Sequence, residues 1–288
     1  MLNIQHILFP LDFSSRCCAT VPYVDAMAAR FGAKLTLISV AQPFLYTGMG
    51  DPGGPIMIDT DEVLRELQGR LDASLVREFA HLRVERVADL GDPAQVIAAF
   101  ARNNAVDLIM MPTHGYGPFR NLLLGSVTAK VLHDSECPVW TAAHMEDPPA
   151  REHVAMRAIL CAVDGTAKSV PLIKYASRMA ADCGATLRLA HVIPGLDSWP
   201  ARQADHAFEN EMRMEARQTI EALAKGSGID APLCVAVGDI AEGIREEARR
   251  HAADLIVIGR GILHETLGRL RTHAYGIIRH SPCPVLSV

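Results

Sequence analysis

Two stretches of this 288-residue chain, HILFPLDFS (6–14) and ILCAVDGT (159–166), closely resemble each other. Each is a short apolar run that ends in an aspartate, Asp12 in the first stretch and Asp164 in the second. A short apolar run bounded by turn-forming residues is typical of a buried strand. Each stretch therefore predicts the first strand of a domain, and together they predict that the domain occurs twice.

Three further landmarks recur in the same order in both halves. The step from the glycine of a Gly-Asp pair to the aspartate of the next apolar run is 16 residues in each half. A fixed self-similarity over this length indicates two copies of one domain rather than a solenoid. The landmarks are Gly-Asp (91–92 and 238–239), VDLIMM (106–111) with ADLIVIG (253–259), and Cys-Pro-Val (137–139 and 283–285).

Length and charge limit the classes of protein to be considered. A chain of 288 residues has room for two domains of about 100–200 residues, and each is large enough to bury its own core. The net charge of -5 argues against a nucleic-acid-binding surface, which is usually basic. We therefore expect no nucleic-acid partner.

The N-terminal stretch MLNIQHILFPLDF (1–13) lacks the positively charged segment of a signal peptide, and Pro10 and Asp12 interrupt its apolar run. No stretch of the sequence approaches the ~20 apolar residues that a membrane-spanning helix needs. The seven cysteines are odd in number and lack the spacing of a disulfide framework, which favours reduced thiols. We therefore expect a cytoplasmic protein with no membrane association.

Strand-like runs alternate with helical patterns in both halves. In the first half, apolar residues at helical spacing predict a helix over 61–80, and the Gly- and Pro-rich segment 42–60 predicts a long loop. Strands that alternate with helices predict parallel sheets with right-handed crossovers. The predicted fold is α/β, with two tandem doubly wound domains, each a five-stranded, mainly parallel sheet flanked by helices. The predicted boundaries are 1–144 for the first domain, 145–156 for a linker and 157–288 for the second domain.

Three helix boundaries follow from single residues. Gly32 is a stop signal for a helix over 18–31. The pair Asp92-Pro93 opens a helix, because proline is favoured in the first helical turn. Ser126 begins a helix over 126–134.

The strongest local signal for a ligand follows the fourth strand, at the edge where parallel sheets bind ligands. There the sequence reads MPTHGYG (111–117), and Gly125-Ser126 opens the next helix. Glycine lets the backbone approach an anion and present N–H groups, and a helix N-terminus favours negative charge. The pattern suits a polyphosphate, but Gly125-Ser126 alone is also what a simple turn and N-cap would show. It is not a Walker A loop, because no Gly-Lys-Ser/Thr follows the first strand.

These segments together resemble a known family. The chain is similar to the universal stress protein family, and because the resemblance extends to both halves it is identified as a tandem-domain member. The resemblance implies a fold like that of the adenine nucleotide alpha-hydrolases and ATP, with Mg²⁺, as the cofactor. The segments that carry it are ILFPLDFS (7–14), THG (113–115) with the nine-residue spacer that follows, LLGSVTAKVL (123–132) and Cys-Pro-Val (137–139).

The resemblance also implies which residues of the first copy bind the nucleotide. The aspartate after strand 1 and its neighbours would face the adenosine, and a strand-2 residue would contact the adenine through its backbone. A Gly-x-x-Gly-x9-Gly-Ser/Thr signature would hold the phosphates. The implied residues are Pro10, Leu11, Asp12, Val40, Met111, Pro112, His114, Gly115, Gly125, Ser126, Val127 and Thr128.

Both copies depart from this signature. In the first copy its first glycine falls on Pro112, which removes an N–H and fixes φ. In the second copy the Gly-Ser position falls on Arg271-Thr272. Arg271 would either reach a phosphate as a fixed cation or fill the space that the phosphate needs, so the second copy is either a second site or a degenerate copy kept for packing. The candidate second site comprises Asp164, Val192, Gly259, Gly261, Arg271 and Thr272.

Several candidate residues have a structural alternative. Asp12 and Asp164 would accept ribose hydroxyls or hold Mg²⁺, or else they only stabilise a turn at a strand end. His114 would donate to a phosphate or pack within its loop. Cys17 and Cys18 lie early in a helix, where a thiolate is favoured, or else they are packing residues.

A metal site formed by protein side chains alone is not expected. His133 with Cys137, and His280 with Cys283, resemble half of a zinc site. A structural zinc needs four ligands, and no second pair lies nearby in the sequence.

The leading hypothesis is a cytoplasmic, nucleotide-responsive stress or regulatory protein that binds ATP mainly in its first domain. The alternative is an ATP-independent interaction module, in which the two copies form a pseudo-dimer. In either case the resemblance implies a homodimer or higher homo-oligomer formed through the last strands, with a protein partner still to be identified. No nucleophile–base pair is present in the sequence, so we expect no dedicated catalytic residues and at most slow ATP hydrolysis.

Overall fold

The computed structural model describes residues 1–42, 59–113, 124–142, 154–195, 206–260 and 270–288. Its residues form two compact units. One unit is Asn3–Val139, and the other contains 154–288 together with 140–142 and Met1–Leu2. Most of the predicted loop 42–60 and most of the predicted linker 145–156 lie outside the described residues, and the domain boundaries stay a prediction.

In the first copy, strands and helices alternate along the chain as predicted. The first and fourth strands are buried along their whole length, whereas the third strand is only half-buried. The elements are β1 (His6–Pro10), α1 (Ser15–Phe31), β2 (Lys34–Ala41), α2 (Thr60–Ala73), β3 (Val84–Leu90), α3 (Pro93–Asn103), β4 (Leu108–Met111), α4 (Ser126–Asp134) and β5 (Val139–Thr141).

The second copy repeats this order. The elements are β6 (Ala158–Ala162), α5 (Ser169–Cys183), β7 (Thr186–Pro194), α6 (His206–Gly226), β8 (Leu233–Gly238), α7 (Ile240–Arg250), β9 (Leu255–Ile258), α8 (Leu270–His280) and β10 (Val285–Ser287).

The strand order confirms the predicted fold class. The strands lie in the order β3-β2-β1-β4-β5 in the first copy and β8-β7-β6-β9-β10 in the second. The pairs β1–β2, β1–β4 and β2–β3 are parallel, as are β6–β7, β6–β9 and β7–β8. The order reverses at β1 and at β6, since each has its successor on one side and the fourth strand of its copy on the other. A doubly wound sheet has its ligand crevice at such a reversal, beyond the carboxyl ends of the strands.

Single residues set the helix ends, as the sequence indicates. Gly32 takes the left-handed conformation (φ 61°), and its N–H donates to the carbonyls of the last turn of α1. Gly184 ends α5 in the same way, with φ 67°. Asp92 caps α3 by accepting hydrogen bonds from the N–H groups of Ala94 and Gln95.

The predicted extent of the second helix is wrong. α2 ends at Ala73 rather than at Ala80, and Leu75 adopts a positive φ of 54° that a helix does not allow. The apolar spacing continues past the helix because the turns that follow it also bury a side chain, Phe79, which is 1% exposed. The spacing of apolar residues shows which side chains are buried and does not show whether they lie in a helix. Here α2 and the turns after it bury side chains at the same spacing.

An aspartate at the start of the fourth strand joins that strand to the first. The Asp107 carboxylate accepts hydrogen bonds from the N–H groups of Gln5 at 2.7 Å and His6 at 3.0 Å. In the second copy Asp254 accepts from Arg157 and Ala158 at the same two distances, 2.7 and 3.0 Å. This interaction fixes the register of the two strands on either side of the crevice, so their carboxyl ends lie level.

Within the described residues, no helix is both long enough and apolar enough to span a bilayer.

We expect Asp107→Ala to lower the free energy of unfolding by about 2–3 kcal/mol, because two backbone N–H groups lose a charged acceptor. Urea unfolding measures the change, which appears as a lower midpoint concentration with an unchanged m-value. Glu66→Ala, at an exposed position of α2, is the control and should change stability by no more than about 0.5 kcal/mol. Equal effects of the two substitutions would contradict the role given to Asp107.

Candidate functional site

Those predicted site residues of the first copy that the structure describes lie at or near the carboxyl edge of its sheet. The Leu11 N–H donates to the Ile38 carbonyl at 2.8 Å, which holds the end of β1 against β2 two residues before Val40. β4 ends at Met111 on the other side of β1, and Pro112 follows it. The ends of β1, β2 and β4 therefore lie side by side at one edge of the sheet, and that they line one nucleotide site stays a prediction.

Asp12 lies in a tight turn at this edge. Its carboxylate accepts the N–H of Ser14 at 2.9 Å, and Phe13 between them has a positive φ of 61°. Such a backbone conformation is uncommon for a bulky side chain and is retained where the surroundings fix it. The Arg70 guanidinium lies 3.9 Å from the centre of the Phe13 ring, in cation–π geometry. The turn leaves Asp12 exposed beside the crevice.

Two hydrogen bonds join the ends of the segment that carries the predicted phosphate loop. The Gly125 N–H donates to the Thr113 carbonyl at 2.9 Å, and the Thr128 hydroxyl donates to the Pro112 carbonyl at 3.1 Å. Thr113 and Thr128 are each 3% exposed, so these bonds are shielded from water. His114 and Gly115 lie outside the described residues. The fixed points of the loop are therefore the end of β4 and the start of α4.

The N-cap of α4 is a residue without a side chain. Ser126 is the first helical residue, as predicted, so the N-cap is Gly125, and among the described residues no side chain caps this helix end. Ser126 is exposed, Val127 is half-buried and Thr128 is buried. The N–H groups of a first helical turn have no partner within the helix, so this turn offers hydrogen-bond donors at the crevice.

One residue beside this helix end was not singled out from the sequence. The Lys130 ammonium lies 3.0 Å from a carboxylate oxygen of Asp92, and the lysine side chain is 56% exposed. This hydrogen bond, followed by that from the Gln95 N–H, lowers the pKa of the Asp92 carboxyl. The signal in the sequence was the spacing of four residues from Ser126 to Lys130, which puts both on one face of a helix.

Among the described residues, Asp164 in the second copy accepts more hydrogen bonds than Asp12 does in the first. One carboxylate oxygen of Asp164 accepts the Thr166 N–H and hydroxyl, both at 2.9 Å, and the Ser169 hydroxyl at 2.5 Å. Gly165 has a positive φ of 77°, and Phe13, its counterpart in the first copy, has a positive φ of 61°. Partial burial disfavours the charged carboxyl, but these hydrogen bonds outweigh it and lower the pKa of Asp164.

The other predicted residues of the second copy are only partly gathered. Val192 is 5% exposed and packs on α7, where a Cβ added to Gly243 would lie 2.9 Å from a Val192 methyl. Gly259 is exposed just after β9. Arg271 and Thr272 lie in the first turn of α8, and Gly261 is outside the described residues.

Two cysteines near the end of β1 have thiols with a raised pKa. Burial, followed by the charge of Asp12, raises the pKa of Cys17 well above its usual value, and its thiol donates to the Pro10 carbonyl at 3.5 Å. Burial and the same charge also raise the pKa of the exposed Cys18. The packing interpretation therefore holds for Cys17.

The half-sites for zinc gain no further ligands in what the structure describes. His133 lies 2.5 Å from the carboxylate of its neighbour Asp134. Within the described ranges, no three or more His, Cys, Asp or Glu side chains are arranged to hold a metal ion.

Comparison with known proteins places this architecture in a family. The model of the universal stress protein family matches residues 3–142 and, a second time, residues 156–288. This chain belongs to the universal stress protein family. The double match confirms the tandem-domain resemblance inferred from the sequence.

Individual relatives match one copy or the whole chain. A universal stress protein of Synechocystis sp. is 26% identical over 140 residues, which are 48% of this chain and 42% of that protein, so the match spans less than half of its length. One of Methanocaldococcus jannaschii is 29% identical over 138 residues, 47% of this chain and 79% of that protein. A solved universal stress protein of Archaeoglobus fulgidus, 22% identical, has a TM-score of 0.69 and covers 100% of this chain and 97% of that chain. That structure supports the fold.

We expect Thr128→Val to lower the free energy of unfolding by about 1–2 kcal/mol, because the buried Pro112 carbonyl loses its donor. Ser126→Ala is the matched control and should change stability by no more than about 0.5 kcal/mol, since Ser126 is exposed. Urea unfolding of both variants measures the two changes in the free energy of unfolding. A stable Thr128→Val variant would show that the hydroxyl does not hold the loop.

The lowered pKa of Asp164 predicts a pH dependence. A carboxyl whose pKa is lower in the folded state stabilises the fold above its unfolded pKa of about 3.9 and loses this contribution as the pH falls through the folded value. We expect Asp164→Asn to be less stable than the unchanged protein at pH 7 and equally stable near pH 2. Urea unfolding at both values measures this, and a difference that does not vary with pH would exclude the charge as its cause.

Proposed function

We propose that the first copy binds ATP with Mg²⁺ and that the protein acts as a nucleotide-responsive stress or regulatory protein. The observation that carries the proposal is the N-cap of α4. Gly125 has φ -55° and ψ 140°, which any residue adopts, so the backbone itself does not require glycine there. A capping serine or aspartate would stabilise the helix, but its side chain would occupy the place of an anion. Glycine leaves the first-turn N–H groups to an external acceptor, and a phosphate is such an acceptor.

The other residues around the crevice fit the rest of an adenine nucleotide. Pro10 and Leu11 are buried and apolar, and Val40 is half-buried at the end of β2, as suits an adenosine. The exposed Asp12 carboxylate is placed to accept ribose hydroxyls or to hold Mg²⁺. Pro112 lacks an N–H, but its carbonyl accepts the Thr128 hydroxyl, so this end of the loop is held to α4 despite the departure from the signature.

The second copy is proposed to be degenerate. Its aspartate is held by Thr166 and Ser169 in a strand-end turn, which is the structural alternative considered for this residue. Val192 is buried against α7. The second copy then contributes packing to the protein rather than a second ATP site.

A response to ATP requires that the nucleotide bind two states of the protein with different affinity, and the response is no larger than that difference. The proposed state is read by a protein partner in the cytoplasm, with the protein a homodimer or higher homo-oligomer paired through its last strands. Slow ATP hydrolysis would be incidental to this role. An ATP-independent interaction module is the alternative.

We expect calorimetric titration of the nucleotide-stripped full chain with Mg-ATP to give about one site per chain. Two sites would mean that Arg271 replaces the Gly-Ser contact in the second copy. Neither heat nor a thermal shift at millimolar Mg-ATP would overturn the proposal in favour of the ATP-independent module.

Two substitutions test where the nucleotide binds. Gly125→Val adopts the observed φ without strain but fills the anion position, so we expect it to fold and to lose ATP binding. Asp12→Ala should weaken binding about tenfold or more, because a charged hydrogen-bond partner is lost. Asp164→Ala is the matched control in the second copy and should keep both affinity and stoichiometry. Normal affinity in Gly125→Val would place the phosphates elsewhere.

A further inference from the structure

The ion pair between Lys130 and Asp92 lies beside the proposed phosphate position and has no counterpart in the second copy. We propose that Lys130 is the residue that selects a nucleoside triphosphate over a monophosphate, and that Asp92 holds its ammonium group until the nucleotide displaces it. This inference rests on the proposed function and assigns a specificity-determining residue to the same site.

The position of Lys130 follows from the geometry of α4. It lies one turn after Ser126 on the same helix face, and its ammonium group points to Asp92, 3.0 Å away. Asp92 comes just after the carboxyl end of β3 and caps α3. The ammonium group therefore lies at the carboxyl edge of the sheet, between the beginnings of two helices.

The Asp92 carboxylate accepts the hydrogen bonds that a bound anion would accept at this position. It accepts the N–H groups of Ala94 and Gln95 at 3.1 and 3.2 Å and the ammonium group of Lys130 at 3.0 Å. Exposed ion pairs of this kind are weak, because water screens them and side-chain entropy opposes them. A polyphosphate carries several charges and presents more acceptor oxygens than one carboxylate, so it competes well for the same ammonium group.

The second copy shows what the fold requires at this position. Counted from the Cys-Pro-Val ending, the equivalent of Lys130 is Gly276. A Cβ on Gly276 would lie 3.0 Å from that of Ala241 on the neighbouring helix α7, so a larger residue would push the helices apart. Asp239 there caps its helix through the Glu242 N–H at 2.9 Å. The helix pair thus folds without the lysine, which belongs to the copy with the nucleotide motif.

The expected consequence is a dependence on phosphate number. The α4 N-terminus at Gly125 would hold the phosphate nearer the ribose, and Lys130, one turn further along the same face, would reach the terminal phosphates. An adenosine monophosphate would not extend to it. Lys130 should therefore contribute to ATP affinity and leave AMP affinity unchanged.

The test compares Lys130→Met with Arg102→Met in the full-length protein. Arg102 is a matched control, because its side chain is 57% exposed and forms a 3.0 Å ion pair from the other end of α3 to Glu136. We expect Lys130→Met to weaken Mg-ATP binding about tenfold or more and to leave AMP binding unchanged, both measured by calorimetry. Arg102→Met should change neither affinity.

A second variant tests whether Asp92 holds the Lys130 ammonium group in the absence of nucleotide. Asp92→Asn keeps a good N-cap for α3 but frees the ammonium group and removes a negative charge, so ATP should bind more tightly and AMP equally well. Unchanged ATP affinity in both Lys130→Met and Asp92→Asn, or equal losses for ATP and AMP in Lys130→Met, would overturn the inference while the nucleotide site stands. Failure of the unsubstituted protein to bind either nucleotide would overturn the proposed function and this inference together.

Discussion

The carboxylate of Asp107, bonded to the N–H groups of Gln5 and His6, is the constraint on which the rest of the first copy depends. It joins the start of β4 to the start of β1, two strands about 100 residues apart in the chain, and so sets their register. Since strands rise by a constant length per residue, a fixed start also fixes the level at which each strand ends. The ends of β1 and β4, just before Asp12 and Pro112, therefore lie level at the carboxyl edge of the sheet. The same arrangement around Asp254 shows that it belongs to the fold and not to one ligand.

The two copies keep this backbone and differ in the side chains at its edge. The turn after the first strand has a positive φ in both, at Phe13 and at Gly165. Only the glycine adopts it at no steric cost, so the first copy tolerates strain at a position where its counterpart has none. The fourth helix carries Lys130 in one copy and Gly276 in the other. A common fold therefore carries different side chains at the same edge in each half, which is why fold alone does not assign function.

Local signals in the sequence were sufficient for most of the fold. Gly32 and Ser126 mark helix boundaries because their effect depends on the backbone within one turn. The end of α2 was missed because Phe79 is buried by a turn that follows the same apolar spacing. The bond from Thr128 to Pro112 and the ion pair of Lys130 with Asp92 join residues 16 and 38 positions apart. Only the packing of α4 at the end of β4 and beside α3 brings them together, and no local pattern contains that information.

Neighbouring residues at the start of α4 differ in whether their polar groups are used inside the protein. Thr128 is buried and its hydroxyl is used inside the protein, whereas Ser126 is exposed and Gly125 has no side chain to offer. A serine or aspartate cap at Gly125 would add only about 0.3 kcal/mol to helix stability, because glycine is itself a fair N-cap, and the backbone angles there would accept it. That small loss is offset when another acceptor meets the first-turn N–H groups. Natural proteins accept a loss of stability mainly where function needs the site. A bound phosphate would accept the hydrogen bonds of the first-turn N–H groups that a capping side chain would otherwise accept.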